Sequence, residues 1–112
     1  MCCFCLGAAR TGRIGKVRFF RYRWNEAPVD HRDRGPSTWY FRVDEEGTVV
    51  SQWEVYDSGV VLHYDRDHLL DEYGMLADQP FDVAEALAAD ARELDRSEYE
   101  TATAALVRRP PT

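Results

Sequence analysis

Several features that would assign a function directly are missing from this sequence. No stretch approaches the roughly 20 apolar residues that cross a membrane, so we expect no membrane contact. The leader lacks a long apolar region, which argues against a signal peptide. No glycine-rich phosphate loop stands between a strand and a helix, and no serine lies in a nucleophile elbow. The sequence therefore offers no motif for nucleotide binding or acyl transfer, and we expect no cofactor.

Cysteine is confined to the first five residues, at Cys2, Cys3 and Cys5. An odd number in one short tract gives no disulfide framework, and no second ligand pair stands at a standard zinc spacing. We interpret residues 1–15 as a flexible tail that contains cysteine and glycine, and residues 16–109 as one domain. A reducing, cytoplasmic location is the expectation for such cysteine usage.

Lysine is almost absent, and the charge is unevenly distributed. The formal net charge is −6. Residues 1–42 hold nine Lys/Arg and three Asp/Glu, whereas residues 43–112 hold five and seventeen. The two parts either attract each other within one fold, as complementary charges on paired strands do, or offer surfaces of opposite sign to partners.

Alternation of apolar and polar residues predicts four strands. They are Lys16–Trp24, Thr38–Val43, Thr48–Tyr56 and Val60–Tyr64. Short turns join the last three, and Gly47 is free to take a positive φ in the first of these turns. The sequence thus predicts a mainly antiparallel, four-stranded β-meander.

Capping-box patterns predict two C-terminal helices. One begins after Asp82 and continues to Leu94, and the other opens at Ser97 and ends before Pro110. We predict an α+β fold in which both helices pack on one face of the sheet. The expected core consists of Phe19 or Phe20, Trp39, Phe41, Trp53, Val55, Leu62, Leu87 and Leu106.

Part of this pattern resembles a group of small, uncharacterised bacterial proteins, mostly actinobacterial, of unknown function. The similar stretches are Phe20–Trp24, Thr38–Val43, Gln52–Gly59, His68–Pro80 and Ser97–Ala104. Together they cover roughly residues 17–106. The resemblance implies a shared fold and a bacterial origin, but it implies no catalytic or binding residue.

The favoured functional hypothesis is a non-enzymatic, cytoplasmic protein-binding module. Helices on one face would leave the other sheet face open, and a mixed aromatic and acidic face is typical of a binding surface. The residues expected to line it are Val50, Gln52, Glu54 and Tyr56, with Arg21 and Arg23. Small acidic proteins of this class include immunity proteins that neutralise basic toxins. The expected partner is another protein, and the oligomeric state stays open.

A metal-dependent enzyme is the first alternative. The loop over residues 63–72 is dense in histidine and carboxylate groups, which suit zinc or manganese. The expected ligands are His63, Asp65, His68 and Asp71, with His68 and Asp71 meeting on one helical turn.

Two further alternatives rest on strand residues. Glu54 could act as a general acid if aromatic walls raised its pKa, with His63 or Asp65 as its partner. The first strand interleaves arginines and aromatics, a combination that binds single-stranded nucleic acid. Its residues are Arg18, Phe20, Arg21, Tyr22, Arg23 and Trp24. The acidic remainder of the chain opposes phosphate, which makes nucleic acid the weaker hypothesis.

Overall fold

The computed structural model describes residues 17–25 and 35–111, so the predicted tail 1–15 lies outside the described residues. The elements are β1 (Arg18–Trp24), β2 (Ser37–Val43), β3 (Val49–Tyr56), β4 (Val61–Asp65), β5 (Leu70–Asp71), β6 (Gly74–Met75), α1 (Val83–Ala88), β7 (Arg92–Leu94) and α2 (Arg96–Thr103). Five strands form one antiparallel sheet in the order β4-β3-β2-β1-β7, and β5 and β6 form a separate hairpin. The predicted α+β class and antiparallel meander are confirmed, with one more strand in the main sheet than expected.

The strand register gives the sheet two distinct faces. Phe20, Phe41, Gln52 and Tyr64 pair across β1 to β4 on what we call the front face. Arg21, Tyr40, Trp53 and His63 pair in the same way on the back face. Paired residues in antiparallel strands point to the same side, so each row of four side chains forms one line across the sheet.

A β-bulge near the start of β3 decides which of its residues reach the core. Arg42 pairs with Ser51 but Val43 pairs with Val49, so Val50 is an inserted residue. An inserted residue changes the alternation along its strand. Strict alternation would place Val49, Trp53 and Val55 on one face, and the inserted residue separates Val49 from the other two. Val49 is buried in the front-face core, and the other two lie on the back face.

The front face carries the main core. Its buried cluster contains Phe20, Phe41, Val43, Val49, Tyr56, Leu62, Tyr64 and Leu76. Phe81 covers this face, with its ring 4.8 Å from that of Phe20 and 5.4 Å from that of Phe41. The backbone N–H of Phe81 donates to the carbonyl oxygen of Gly47 at 2.8 Å, and Gly47 has the expected positive φ of 86°. The turn between β2 and β3 therefore anchors the covering segment.

The first helix is shorter than predicted because Asp90 ends it. The side chain of Asp82 caps α1 as predicted, by accepting from the N–H of Glu85. At its other end, Asp90 has a φ of 70°, and the N–H of Ala91 donates to the carbonyl of Ala86. This is a Schellman closure with aspartate where glycine is usual. The chain then leaves as β7, which pairs with the outer edge of β1 in place of the expected continuation to Leu94.

The second helix packs on the back face, opposite to α1. Asp95 caps it and forms a capping box with Glu98, so the helix begins before the predicted Ser97. The ring of Tyr99 lies 4.7 Å from that of Phe19 and buries it together with Leu94. The prediction that both helices share a face was wrong, because β7 stands between them and redirects the chain to the other side of the sheet.

The predicted core is confirmed in part. Phe19, Phe20, Phe41 and Leu62 are buried. Trp39 is half-buried beside the front core, and Trp53, Val55 and Leu106 are half-buried as well. Leu87 is 45% exposed, because the short α1 turns this side chain to solvent.

The outer edge of β4 is largely occupied. Val61 exchanges two backbone hydrogen bonds with Arg109, at 2.9 and 2.7 Å, and Asp65 exchanges two with His68. The other edge, β7, has only three residues and carries Arg92 and Glu93. Short, charged or covered edges resist strand addition, so a partner strand has little to pair with. Across the described part of the chain, no helix combines the length and apolar character needed to cross a membrane.

Candidate functional site

The six residues predicted to line an open face do not form one surface. Gln52, Glu54 and Tyr56 are only 2%, 3% and 2% exposed, inside the front-face core. Arg21 and Arg23 extend from the back face, where Arg23 forms an ion pair with Asp57. Val50, the sixth, is the half-buried inserted residue of the bulge. The open-face prediction was wrong for the three buried residues, because the bulge turns them inward and the following segment covers them.

The buried carboxylate of Glu54 is held within a structural network. Its two oxygens accept from Gln52 Nε2 and from the Tyr56 hydroxyl, each at 2.7 Å. His63 and Asp65 lie on the opposite face of the sheet. The predicted acid–base pairing of Glu54 with either of them was therefore wrong.

The predicted metal ligands form two separate pairs. His68 Nε2 lies 3.0 Å from Asp71 Oδ2, and His63 Nε2 lies 3.9 Å from Asp65 Oδ2. The hairpin of β5 and β6 replaces the expected helical turn. Within residues 17–25 and 35–111, no three His, Cys, Asp or Glu side chains form a group that could hold a metal ion.

Asp71 is a hydrogen-bonding hub that fastens the small hairpin to the sheet. Its Oδ1 accepts from the hydroxyl of Tyr64 and the N–H of Tyr73, both at 2.8 Å, and its Oδ2 accepts from Arg108 at 2.8 Å. Burial alone would raise its pKa. The hydrogen bonds from His68, the Tyr73 backbone, Arg108 and Tyr64 outweigh this and hold the pKa of Asp71 far below its usual range. This side chain is thus committed to structure.

A second polar group on the back face has the composition, but not the geometry, of a catalytic triad. Ser51 Oγ lies 3.2 Å from His63 Nε2, and the hydroxyl of Tyr99 lies 3.5 Å from the same serine oxygen. Asp65 approaches the same ring nitrogen, whereas an orienting carboxylate must hold the other one. Burial lowers the pKa of His63, whose ring stacks 3.8 Å from that of Trp53.

The first strand does not present its arginines and aromatics together. Phe20 is fully buried in the front core, and Tyr22 and Trp24 point to that same face. Arg21 and Arg23 point to the back. Arg18 on the front is held by Glu93 in a two-bond ion pair at 2.7 and 2.8 Å. A base stacked on the aromatics would therefore lie on the opposite side of the sheet from two of the arginines.

The feature that the sequence-based hypotheses missed is the charge of the segment covering the front face. Between Arg66 and Arg92 the chain contains seven Asp/Glu and no Lys/Arg. We call residues 67–91 the acidic layer. Of its carboxylates, Asp71 alone has an ion pair with a described residue. The layer therefore carries several negative charges that form no ion pair with a described basic residue.

The acidic layer also concentrates exposed apolar side chains. The large apolar residues exposed in the described part of the chain are Leu69, Leu70, Met75, Leu87 and Val107, and the first four belong to this layer. Leu70 and Met75 pair across the β5–β6 hairpin, so their side chains are neighbours. They are 65% and 49% exposed. Exposed acidic and exposed apolar side chains thus lie within the same covering segment.

A concave region, which we call the aromatic groove, lies between α1 and the ends of β1 and β2. Its cavity volume is about 560 Å³. The aromatic walls are Tyr22, Trp24, Trp39, Phe41 and Phe81, and the helical side includes Asp82, Glu85, Ala86 and Ala89. The Tyr22 and Trp24 rings meet edge to face at 4.9 Å, and Trp39 lies 6.3 Å from Trp24. The groove is thus a mainly apolar cleft with carboxylates on one side.

The electrostatics of the groove are one-sided. Among the described residues, no Lys or Arg lines the groove. The carboxylate of Glu85 forms no hydrogen bond or ion pair with a described residue. The indole N–H of Trp24, at one end of the groove, is buried and has no hydrogen-bond partner among the described residues. An unsatisfied buried donor costs about 1–3 kcal/mol, so this end of the front face is less well satisfied than the core beside it.

Comparison with known proteins adds no family. Scans of protein-family models, of curated proteins and of solved structures found no match to this chain. The resemblance to small actinobacterial proteins stays a prediction, and the function has to be argued from geometry and charge.

Proposed function

We propose that this chain is a non-enzymatic binding module that docks a basic protein through its acidic layer. The observation that carries the proposal is the coincidence, in residues 67–91, of carboxylates that have no described ion-pair partner with four exposed large apolar side chains. We place this activity in the cytoplasm, in line with the cysteine usage of the sequence.

The two kinds of side chain would do different work in such a complex. Carboxylates without ion-pair partners among the described residues attract a basic surface and speed its association, and this effect weakens as the ionic strength rises. The adjacent Leu70 and Met75 supply apolar area that gains free energy when a partner excludes water from it. A charged surface with an apolar centre is the arrangement expected of a specific, non-obligate interface.

Immunity proteins that neutralise basic toxins are the class that this proposal favours. A basic toxin encoded beside this chain in the native host is accordingly the first partner to test. The metal-enzyme alternative has less support, since Asp71 and His68 bind each other and Asp71 also binds Arg108.

The proposal is tested by affinity purification from the native host, followed by titration of the purified partner. The charge variant is Glu72→Gln with Glu85→Gln, two exposed side chains of the layer without described partners. The control, Glu46→Gln with Glu100→Gln, makes the same change in net charge elsewhere. We expect a basic partner to bind the wild type and control alike, and the layer variant about tenfold more weakly at low salt.

A second pair of variants tests how much the exposed apolar side chains contribute to binding. Leu70→Ser removes an exposed apolar side chain from the layer, and Val107→Ser removes one outside it. We expect only Leu70→Ser to weaken the purified complex. Equal binding by all four variants, or a partner without excess positive charge, would contradict the proposal.

A further inference from the structure

The aromatic groove combines three features that select a particular kind of side chain. Its walls are the rings of Tyr22, Trp24 and Trp39, its helical side carries Asp82 and Glu85, and no described basic residue lines it. Resting on the proposed function, we propose that this groove holds an arginine side chain of the basic partner.

The chemistry of the walls favours a cation with a flat, weakly hydrated head. Aromatic faces attract cations through their quadrupole, and tryptophan does so best. A guanidinium also stacks on such rings, whereas the compact ammonium of lysine holds its water more strongly. The Trp24 ring lies 4.9 Å from that of Tyr22 and 6.3 Å from that of Trp39, and the rings are inclined at 81° and 54°. A guanidinium in the groove can therefore stack on one ring while it touches the edge of the next.

The carboxylates supply the matching charge. Asp82 and Glu85 are three residues apart at the start of α1, a spacing that brings side chains together on one side of a helix. Asp82 Oδ1 is used as the helix cap, accepting from the N–H of Glu85 at 2.9 Å. The Glu85 carboxylate has no described partner and is therefore the group available to accept from a guanidinium.

The test uses acetylated, amidated Gly-Arg-Gly as the probe, with the citrulline and lysine tripeptides as comparisons. Citrulline keeps the shape of arginine and removes its charge. Binding is followed by NMR at the tryptophan indole N–H signals. Trp24 and Trp39 line the groove, and Trp53 on the back face is an internal control. We expect a saturable shift of the Trp24 and Trp39 signals, with citrulline and lysine each binding about fivefold more weakly.

Two variants locate the site. Glu85→Gln should weaken the arginine peptide several-fold, whereas Glu46→Gln makes the same charge change outside both the acidic layer and the groove lining and should leave binding within twofold. Trp24→Leu should abolish the shift at Trp39; if this variant does not fold, the glutamate pair decides alone.

Equal affinity for citrulline or lysine, a shift at Trp53, or no saturable binding would overturn the arginine site. The proposed function is judged separately. If the peptide fails while Leu70→Ser and the Glu72→Gln, Glu85→Gln variant still weaken the partner complex, docking through the acidic layer stands without an arginine in the groove. If those variants also bind the partner normally, both inferences fail.

Discussion

The amide of Gln52 and the carboxylate of Glu54 are hydrogen-bonded to each other inside the front-face core, 2.7 Å apart. The same amide reaches the covering segment on both sides of Leu76. Its Nε2 donates to the carbonyl of Met75 at 3.1 Å, and its Oε1 accepts from the N–H of Ala77 at 2.9 Å. A buried polar pair on β3 thus holds the start of the acidic layer against the sheet.

Replacing Gln52 by alanine should destabilise the domain by about 3 kcal/mol or more. The change leaves one oxygen of the buried Glu54 without this donor, and an unsatisfied buried group costs about 1–3 kcal/mol. It also removes the two part-buried bonds to Met75 and Ala77, each worth about 0.5–1.5 kcal/mol. Urea unfolding at pH 7 measures the loss. The exposed Gln79→Ala is the control and should change stability by less than about 0.5 kcal/mol. A similar small loss for Gln52→Ala would show that the amide does not fasten the layer.

The hub at Asp71 predicts a distinct acid sensitivity. The pKa of Asp71 is depressed in the folded protein, so its stabilisation is complete above its unfolded pKa of about 3.9 and declines as the pH falls toward the folded value. Asp71→Asn should lose about 3 kcal/mol at pH 7, and the difference from wild type should shrink below about pH 4. Unfolding curves from pH 2 to 7 measure this. A difference between wild type and Asp71→Asn that stayed constant from pH 2 to 7 would contradict the hub.

Much of the meander could be predicted because its signals are local. Alternation placed β2 to within one residue of its observed start, and the turn at Gly47 needed only a residue tolerant of positive φ. The bulge at Val50 has no comparable signal. Two adjacent valines fit either strand register, and the choice follows from how β2 and β3 pair. That single inserted residue is why the predicted binding face became core.

The residues of β7 were predicted to be helical, and the reason that they form a strand lies in tertiary contacts. Arg92, Glu93 and Leu94 have little strand preference, and an alanine-rich run before them favours helix. The free edge of β1 and the burial of Leu94 on Phe19 decide their conformation. The acidic layer, in contrast, is visible in the sequence as the absence of Lys/Arg between Arg66 and Arg92. That it packs over the same face as an aromatic groove follows only from the fold.

Trp53 should contribute less to stability than its size suggests. Its ring lies half-buried on the back face against His63, whereas Phe20 is fully buried on the front. We expect Trp53→Ala to cost about 1–2 kcal/mol and Phe20→Ala about 3–5 kcal/mol in urea unfolding. Because both residues lie in central strands, the comparison isolates burial. Equal losses in the free energy of unfolding would contradict this, because they would show that the Trp53 ring contributes as much to stability as a fully buried ring.

His63 should make stability rise with pH across the weakly acidic range. Burial lowers its pKa, outweighing nearby Asp65, which raises it, while His68 and Arg42 lower it further. Between this lowered value and the unfolded pKa of about 6.5, the unfolded chain binds more protons, so stability falls as the pH drops below about 6.5 and is level above it. His63→Phe keeps a flat ring over Trp53 and removes the titration. Urea midpoints from pH 5 to 7.5 should therefore vary less in the variant. The other histidines are common to both proteins and cancel in the difference, so parallel profiles would show that His63 titrates alike in both states.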